Sequence, residues 1–150
     1  MATRITARGQ ARRRSLLEAA NRVFRKRGFS LATVRDIAEE AGVALGGLYR
    51  HFPSKEHFIA AVLAEGMREI REEVREAIAA TPPDAPVRDR IAAGIRAQAA
   101  STRRRGGTFD QAVRYERNSD SPRSVWKSYH NEVGAYRTLW RSLIDEAKSR

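Results

Sequence analysis

The sequence predicts an all-α protein: an N-terminal three-helix helix-turn-helix unit, residues 1–54, followed by a helical regulatory region, residues 55–150. Three observations carry this. Apolar residues recur at helical spacing through most of the 150 residues. No stretch alternates apolar and polar residues as a half-buried strand requires. Two short helical segments meet across Gly42 with almost no loop between them, which is the pattern of two helices joined by a tight turn.

The elements are taken in chain order. Arg4–Arg14 is basic, lacks periodicity and reads as a flexible arm. From Ser15 a first helix is marked by Leu16, Leu17, Ala20, Val23 and Phe24. Arg25, Lys26 and Arg27 suit the negative end of that helix, and Gly28 is its expected stop. Thr33 and Asp36 form a capping-box variant that opens a short second helix, with Val34, Ile37, Ala38 and Ala41 inward and Gly42 at its end. A third helix must fit between Val43 and Phe52, held to the core by Leu48 and Phe52 at i and i+4. Pro53 closes the unit, and Ser54 is placed to cap a fourth helix.

From Lys55 to about residue 80 this long helix carries the stripe Ile59, Val62, Leu63, Met67, Ile70, Val74 and Ile78. Prolines at 82, 83 and 86 break it. A fifth helix is expected over Val87–Ala100, a basic turn over Arg103–Gly107, and a short helix over Phe109–Arg117. The last helix is expected to start near Pro122. Its stripe, Trp126, Tyr129, Val133, Tyr136, Trp140, Leu143 and Ala147, steps by three and four and asks for a helical partner along its length.

Composition narrows the function. The formal net charge is +11, and residues 1–60 hold 12 Lys/Arg against 5 Asp/Glu, so most of the excess sits in the helix-turn-helix third. A basic excess concentrated there is the footprint of phosphate-backbone contact. The chain has no cysteine, which excludes a disulfide scaffold, a thiolate zinc site and a cysteine nucleophile. No apolar run approaches the roughly 18 residues of a membrane span, and the basic N-terminus lacks the apolar core of a secretory signal. A cytoplasmic protein without membrane contact is expected. His51, His57 and His130 do not sit at metal-ligand spacing with a carboxylate, so no metal is expected. There is no nucleophile elbow, phosphate-binding glycine loop or metalloprotease motif, so neither an enzyme nor a cofactor is expected. The pairs Glu39–Glu40 and Glu72–Glu73 fall on exposed helix faces, where unshifted carboxylates are expected.

The stretch from Thr33 to Glu56, TVRDIAEEAGVALGGLYRHFPSKE, resembles the DNA-binding signature of the TetR family of regulators. The likeness runs upstream through Leu16–Ala20 and Phe24–Phe29 and covers roughly residues 12–63. It implies a regulator that binds double-stranded DNA, with Tyr49, His51 and Lys55 at positions that contact phosphate or base edges and Thr33 at a phosphate contact. The residues agree with that role. Gly46 and Gly47 would let backbone approach the groove wall, and Leu45, Tyr49 and Arg50 are left outward on a helix short enough for the major groove. Lys55 stands at a helix N-terminus, a good anion site.

Two departures stand out. Ala44 and Leu45 replace a Ser-Lys or Ser-Arg pair common in the family, removing a cap and a cation, although Leu45 could touch a thymine methyl. Family members also extend some tens of residues further, through two helices that form the dimer interface. A homodimer is expected, through Trp126, Trp140 and their neighbours if those helices are missing. The resemblance further implies a repressor released by a small apolar or amphipathic effector, for which Phe109, Tyr115, Trp126 and Tyr129 are the candidate ligand residues. Plain core or interface is the competing reading for these aromatics. The alternative for the whole chain is a ligand-binding or heterodimerising module with a weakened DNA head.

Overall fold

The computed structural model describes residues 6–149, and among them every regular element is helical. The first helix, α1, spans Ala7–Leu31. Thr6 caps it, its hydroxyl accepting from the Gly9 amide at 3.2 Å. Residues 7–14 are therefore helix, which corrects the expected arm; Arg4 and Ile5 lie outside the described residues. The periodicity is missing because these turns bury little, and they stand on the cap and on the helix propensity of alanine and arginine. Arg13 adds a contact of its own, its guanidinium 4.6 Å from the centre of the Phe52 ring. Gly28 breaks α1 where expected, at φ 73° and ψ 166°, and the last turn reaches Leu31.

Next come α2, Val34–Ala41, and α3, Leu45–Tyr49. The capping box forms as expected: the Asp36 amide donates to the Thr33 hydroxyl at 3.1 Å, and the Thr33 amide donates to Asp36 Oδ2 at 2.9 Å. Gly42 ends α2 in the left-handed region at φ 65°, a conformation that a Cβ would strain. α3 is shorter than the expected 43–52. Two glycines lower its propensity and no side chain caps it at Ala44, so it is held by the burial of Leu48 and Phe52, which are 0% and 2% exposed.

The long helix α4 spans Lys55–Ala79 behind its Ser54 cap. α5, Val87–Arg105, runs straight through the expected basic turn. The reason is pairing: Arg104 reaches Glu73 and Arg105 reaches Glu69 at 2.6 Å, both on α4, while the cations also suit the helix C-terminus. Gly106, at φ 63°, then separates α5 from α6, Gly107–Arg117. A 3₁₀ turn, Arg123–Trp126, comes after Pro122 and leads into α7, Lys127–Lys148.

One apolar cluster runs through both halves. It joins Leu16, Phe24, Ile37 and Leu48 of the head to Phe58, Leu63, Ile70 and Val74 of α4, and on to Trp126 and Tyr129. The α7 stripe finds its partner inside the chain, packing on α4 and α5: Tyr129 and Leu143 are buried, and Tyr136 and Trp140 lean on the core. Ion pairs fasten the same seams, Arg71 to Glu132 at 2.7 Å and Arg90 to Glu146.

Leu48 is the test of how α3 is held. Leu48→Ala should lower unfolding free energy by about 2–5 kcal/mol in chemical denaturation, as for a fully buried leucine. Leu31→Ala, at a side chain 77% exposed, should stay within about 0.5 kcal/mol of the unsubstituted chain.

Candidate nucleic-acid interface and effector cavity

The head is built so that α3 has one fixed side and one free side. Leu48 and Phe52 point inward, and Phe52 stacks on Phe58 of α4 with ring centres 4.0 Å apart. Arg22 on α1 holds Glu40 on α2 at 2.7 Å, and Arg27 lies 3.2 Å from Asp36. The hydrogen bond from the Thr33 amide, then that with the Thr33 side chain, hold the Asp36 carboxyl below its usual range, with Arg27 adding to the effect. Glu40 is likewise lowered, first by Arg22 and then by Lys26. The expectation of unshifted carboxylates at Glu39–Glu40 therefore fails at Glu40, because α1 supplies cations that the helix face alone does not reveal.

On the free side, Ala44, Gly46, Tyr49, Arg50 and His51 are exposed, Tyr49 at 46%. A Cβ built on Gly46 or Gly47 would meet nothing within 4 Å, so open space lies over both. Leu45 is not outward as expected; it is partly buried against the core. Thr33 is exposed at the start of α2 with its hydroxyl engaged in the capping box. Lys55 is half-buried: its ammonium donates to the Ser30 carbonyl at 3.1 Å and lies 5.6 Å from the centre of the Tyr115 ring.

Tyr115 thus sits where α6 meets the head. Its hydroxyl donates to Glu56 at 2.8 Å, and its ring lies 6.2 Å from that of Phe29. Burial first, then the bond to the Glu56 carboxylate, pushes its phenol up to about 12. Burial pushes Glu56 up, but the Tyr115 hydroxyl, backbone and Ser54 hydrogen bonds and Lys55 outweigh it and leave the carboxyl below its usual value. An open groove of about 990 Å³ runs beside this contact, between residues 27–31 of α1 and the end of α6.

The other three candidate ligand residues do not join Tyr115 there. Phe109 lines two separate cavities, one of about 250 Å³ and one of about 100 Å³. Trp126 and Tyr129 are 2% and 8% exposed within the core cluster and line neither the groove beside Tyr115 nor either Phe109 cavity. The larger Phe109 cavity, between α4, α5, α6 and α7, is walled by Met67, Ile70, Gln98, Thr102, Arg105 and Tyr136 among others. Sequence reasoning did not single these out as a site. Two signals were available: Tyr136 stands in the α7 stripe, and Arg105 closes a basic run that had to be paired. Arg105 is held by Glu69, by Glu73 at 3.3 Å and by the Ser101 hydroxyl at 3.3 Å. For Glu73, burial acts upward, but Ser101, Arg104 and Arg105 win and leave it lowered, a second departure from the expected unshifted pair. Among the described residues no three His, Asp or Glu side chains gather as a metal site, and no helix is long and apolar enough to cross a membrane.

Comparison with known proteins places this geometry. Residues 16–62 match the family model described as bacterial regulatory proteins, tetR family. The HTH-type transcriptional regulator YfiR of Bacillus subtilis is 40% identical over 58 residues, which cover 39% of this chain and 28% of that protein. The HTH-type transcriptional repressor KstR2 of Rhodococcus jostii is 41% identical over 68 residues, 45% of this chain and 33% of that one. These matches therefore span a third or less of the relatives' length. The structure of the ketosteroid transcriptional regulator KstR2 of Mycobacterium tuberculosis superimposes over 89% of this chain and 66% of its own, with a TM-score of 0.62 and 27% identity. The likeness of fold thus extends well past the region of close sequence likeness, into α5, α6 and α7. The helix-turn-helix segment, residues 16–62, is thus similar to that of the tetR family of bacterial regulatory proteins, and the helical body behind it shares the fold of the KstR2 structure.

Proposed function

We propose that this chain is a sequence-specific DNA-binding transcriptional repressor released by a small apolar or amphipathic effector. The observation that carries the reading is the free side of α3: an exposed Tyr49–Arg50–His51 edge and two open glycines on a helix locked from behind by Leu48 and Phe52. A short rigid helix of that kind enters the major groove, with Thr33 and Lys55 positioning the backbone on either side. Lys55 leaves the Ser30 carbonyl for a phosphate, a stronger charge-assisted partner. Arg8, Arg12 and Arg14, exposed along the first turns of α1, add cations that the expected arm would have carried. A reader of chromosomal DNA works in the cytoplasm of a bacterium, and a homodimer would present two such heads to a palindrome.

The effector site of this reading is the cavity between α4, α5, α6 and α7. An occupant changes DNA affinity only if it binds the non-DNA conformation more tightly. Through α6 it has a route to the head, since Tyr115 holds Glu56 and faces Lys55. The uncapped start of α3 favours one alternative, a ligand-binding or heterodimerising module whose head has lost its operator.

Selection of bound fragments from genomic DNA by the purified chain separates these readings. A palindromic motif, bound with an affinity that falls steeply with salt at a slope of about 0.9 per phosphate contacted, is the expected result; no enrichment selects the alternative. Tyr49→Ala and Lys55→Ala should each weaken binding to the selected site by about 1–3 kcal/mol without unfolding the protein, and Lys55→Ala should also lower the salt slope by about one. Wild-type affinity in both variants would remove the assignment.

Tyr115 generates a pH prediction. Its folded pKa, about 12, lies above the ordinary 10.0, so the fold favours the neutral phenol. The stability this contributes is fully present below pH 10.0 and is lost as pH rises through 12. Burial also raises Tyr129 and Tyr136, so phenolate absorbance should show late titration, and the step read here is the one that Tyr115→Phe removes. In Tyr115→Phe both that step and the corresponding part of the alkaline stability loss should be absent.

A further inference from the structure

Among the described residues the half-buried arginines are Arg13, Arg71, Arg90 and Arg105. All but the first hold a carboxylate: Arg71 that of Glu132, Arg90 that of Glu146 and Arg105 that of Glu69. Arg13 differs. Among the described residues its guanidinium has neither an ion pair nor a hydrogen bond, and it lies instead over the Phe52 ring, 4.6 Å from the centre. Burial lowers the Arg13 pKa from its ordinary value, with Glu65 acting upward and Arg68 downward. Glu65 is no free partner, because Arg68 already engages it. A guanidinium drawn partly out of water costs free energy until acceptors meet its N–H groups, and an aromatic ring accepts from none of them by an ordinary hydrogen bond.

The place of this cation says which anion it awaits. Arg13 stands one turn before the buried pair Leu16 and Leu17. Helix side chains lean toward the N-terminus, so its head extends toward the turns that carry exposed Arg8 and Arg12. Phe52 directly follows the exposed Tyr49–Arg50–His51 edge and precedes Lys55 by three residues. The ring is itself immobilised, 2% exposed and stacked on Phe58 with centres 4.0 Å apart. We propose that Arg13 is a pre-positioned phosphate contact: Phe52 holds its guanidinium at the rim of the helix-turn-helix head, and its unmatched N–H fork takes a backbone phosphate of the duplex that α3 reads. An arginine suits this place because its planar fork stacks on a ring and still meets phosphate oxygens in pairs. Such a contact carries no sequence information, so it strengthens binding to every duplex alike and fixes α1 on the backbone. The inference rests on the DNA-binding reading above and adds to it a residue of α1.

The experiment measures binding of the full chain to two duplexes over a range of salt concentrations, one carrying the selected motif and one of random sequence. Arg13→Gln should weaken both by about tenfold, keep their ratio within about twofold, and lower the salt slope by about 0.9, the value of one phosphate. Arg13→Lys should restore the slope and only part of the affinity, since the charge returns without the planar fork. Arg13→Met, which keeps an apolar stem over Phe52, repeats the test should the glutamine variant fold poorly. Single methylphosphonate substitutions along the duplex should find one phosphate whose neutralisation weakens the unsubstituted chain by about tenfold and Arg13→Gln by less than about twofold.

An unchanged salt slope in Arg13→Gln and Arg13→Met, with Lys55→Ala still lowering it, would make Arg13 a structural edge of the Phe52 cluster: the DNA-binding reading would stand and this inference would be overturned. A loss confined to the motif duplex would also overturn it, because the residue would then read a base. If the unsubstituted chain binds neither duplex, the DNA-binding reading falls and takes the phosphate contact with it.

Discussion

The structure depends on α4 belonging to two cores at once. Its first turns bury Phe58 and Ile59 against the head, where Phe58 stacks on Phe52; its later turns bury Met67, Ile70 and Val74 beneath α5 and α7. At 1.5 Å per residue its 25 residues span about 37 Å, enough to join the helix-turn-helix head to the far end of the bundle that α5 and α7 form with it. Because the apolar cluster is continuous along it, neither half can be reset by sliding α4 without opening the other. Whatever moves in this molecule must move against α4.

Electrostatics supports the same frame from outside. The acidic residues Glu69 and Glu73 on α4 take Arg104 and Arg105 of α5, and Arg71 on α4 takes Glu132 of α7. These pairs are partly exposed, and each contributes on the order of 1 kcal/mol or less. Their effect is on register more than stability: they fix the α5 end beside α4 and extend that helix through a run of arginines. Arg104 and Arg105 at the end of α5 are thereby paired within the chain, while Arg8, Arg12, Arg35 and Arg50 of the head remain exposed. Those four arginines leave part of the basic excess of the first third exposed on the head.

Much of this was legible in the residues. The cap at Thr33–Asp36, the left-handed glycine at 42, the break at Gly28 and the buried pair Leu48–Phe52 are local rules, and local rules can be read from a string. The α7 stripe announced that it needed a partner but not that α4 and α5 would supply it, since periodicity says which face is buried and not against what. The first turns of α1 went unread because their helicity comes from a cap and propensity, with no apolar stripe to betray it. In the arginine run from 103 to 105 the solvent-facing reading holds for Arg103 and Arg104, while Arg105 turns onto Glu69 and Glu73 of α4. The candidate effector site was the least legible: of four aromatics, only Phe109 reaches the cavity between α4 and α7, and the other walls are contributed by residues distant in sequence.

If α4 is the fixed member, the cheapest element to displace is α6. It has 11 residues, a glycine at its N-terminal boundary without a cap, and Ala112 as its one fully buried side chain. Elements with few buried apolar contacts open at low free energy, and switching elements are drawn from them. Yet each end of α6 touches something that matters: Phe109 closes a cavity at one end, and Tyr115 binds Glu56 and faces Lys55 at the other. A small tilt of this helix against α4 changes the cavity and the environment of the first residues of α4 together. Under the proposed effector reading, coupling between the cavity and the head requires no rearrangement of either core, only one lightly held helix with both ends engaged.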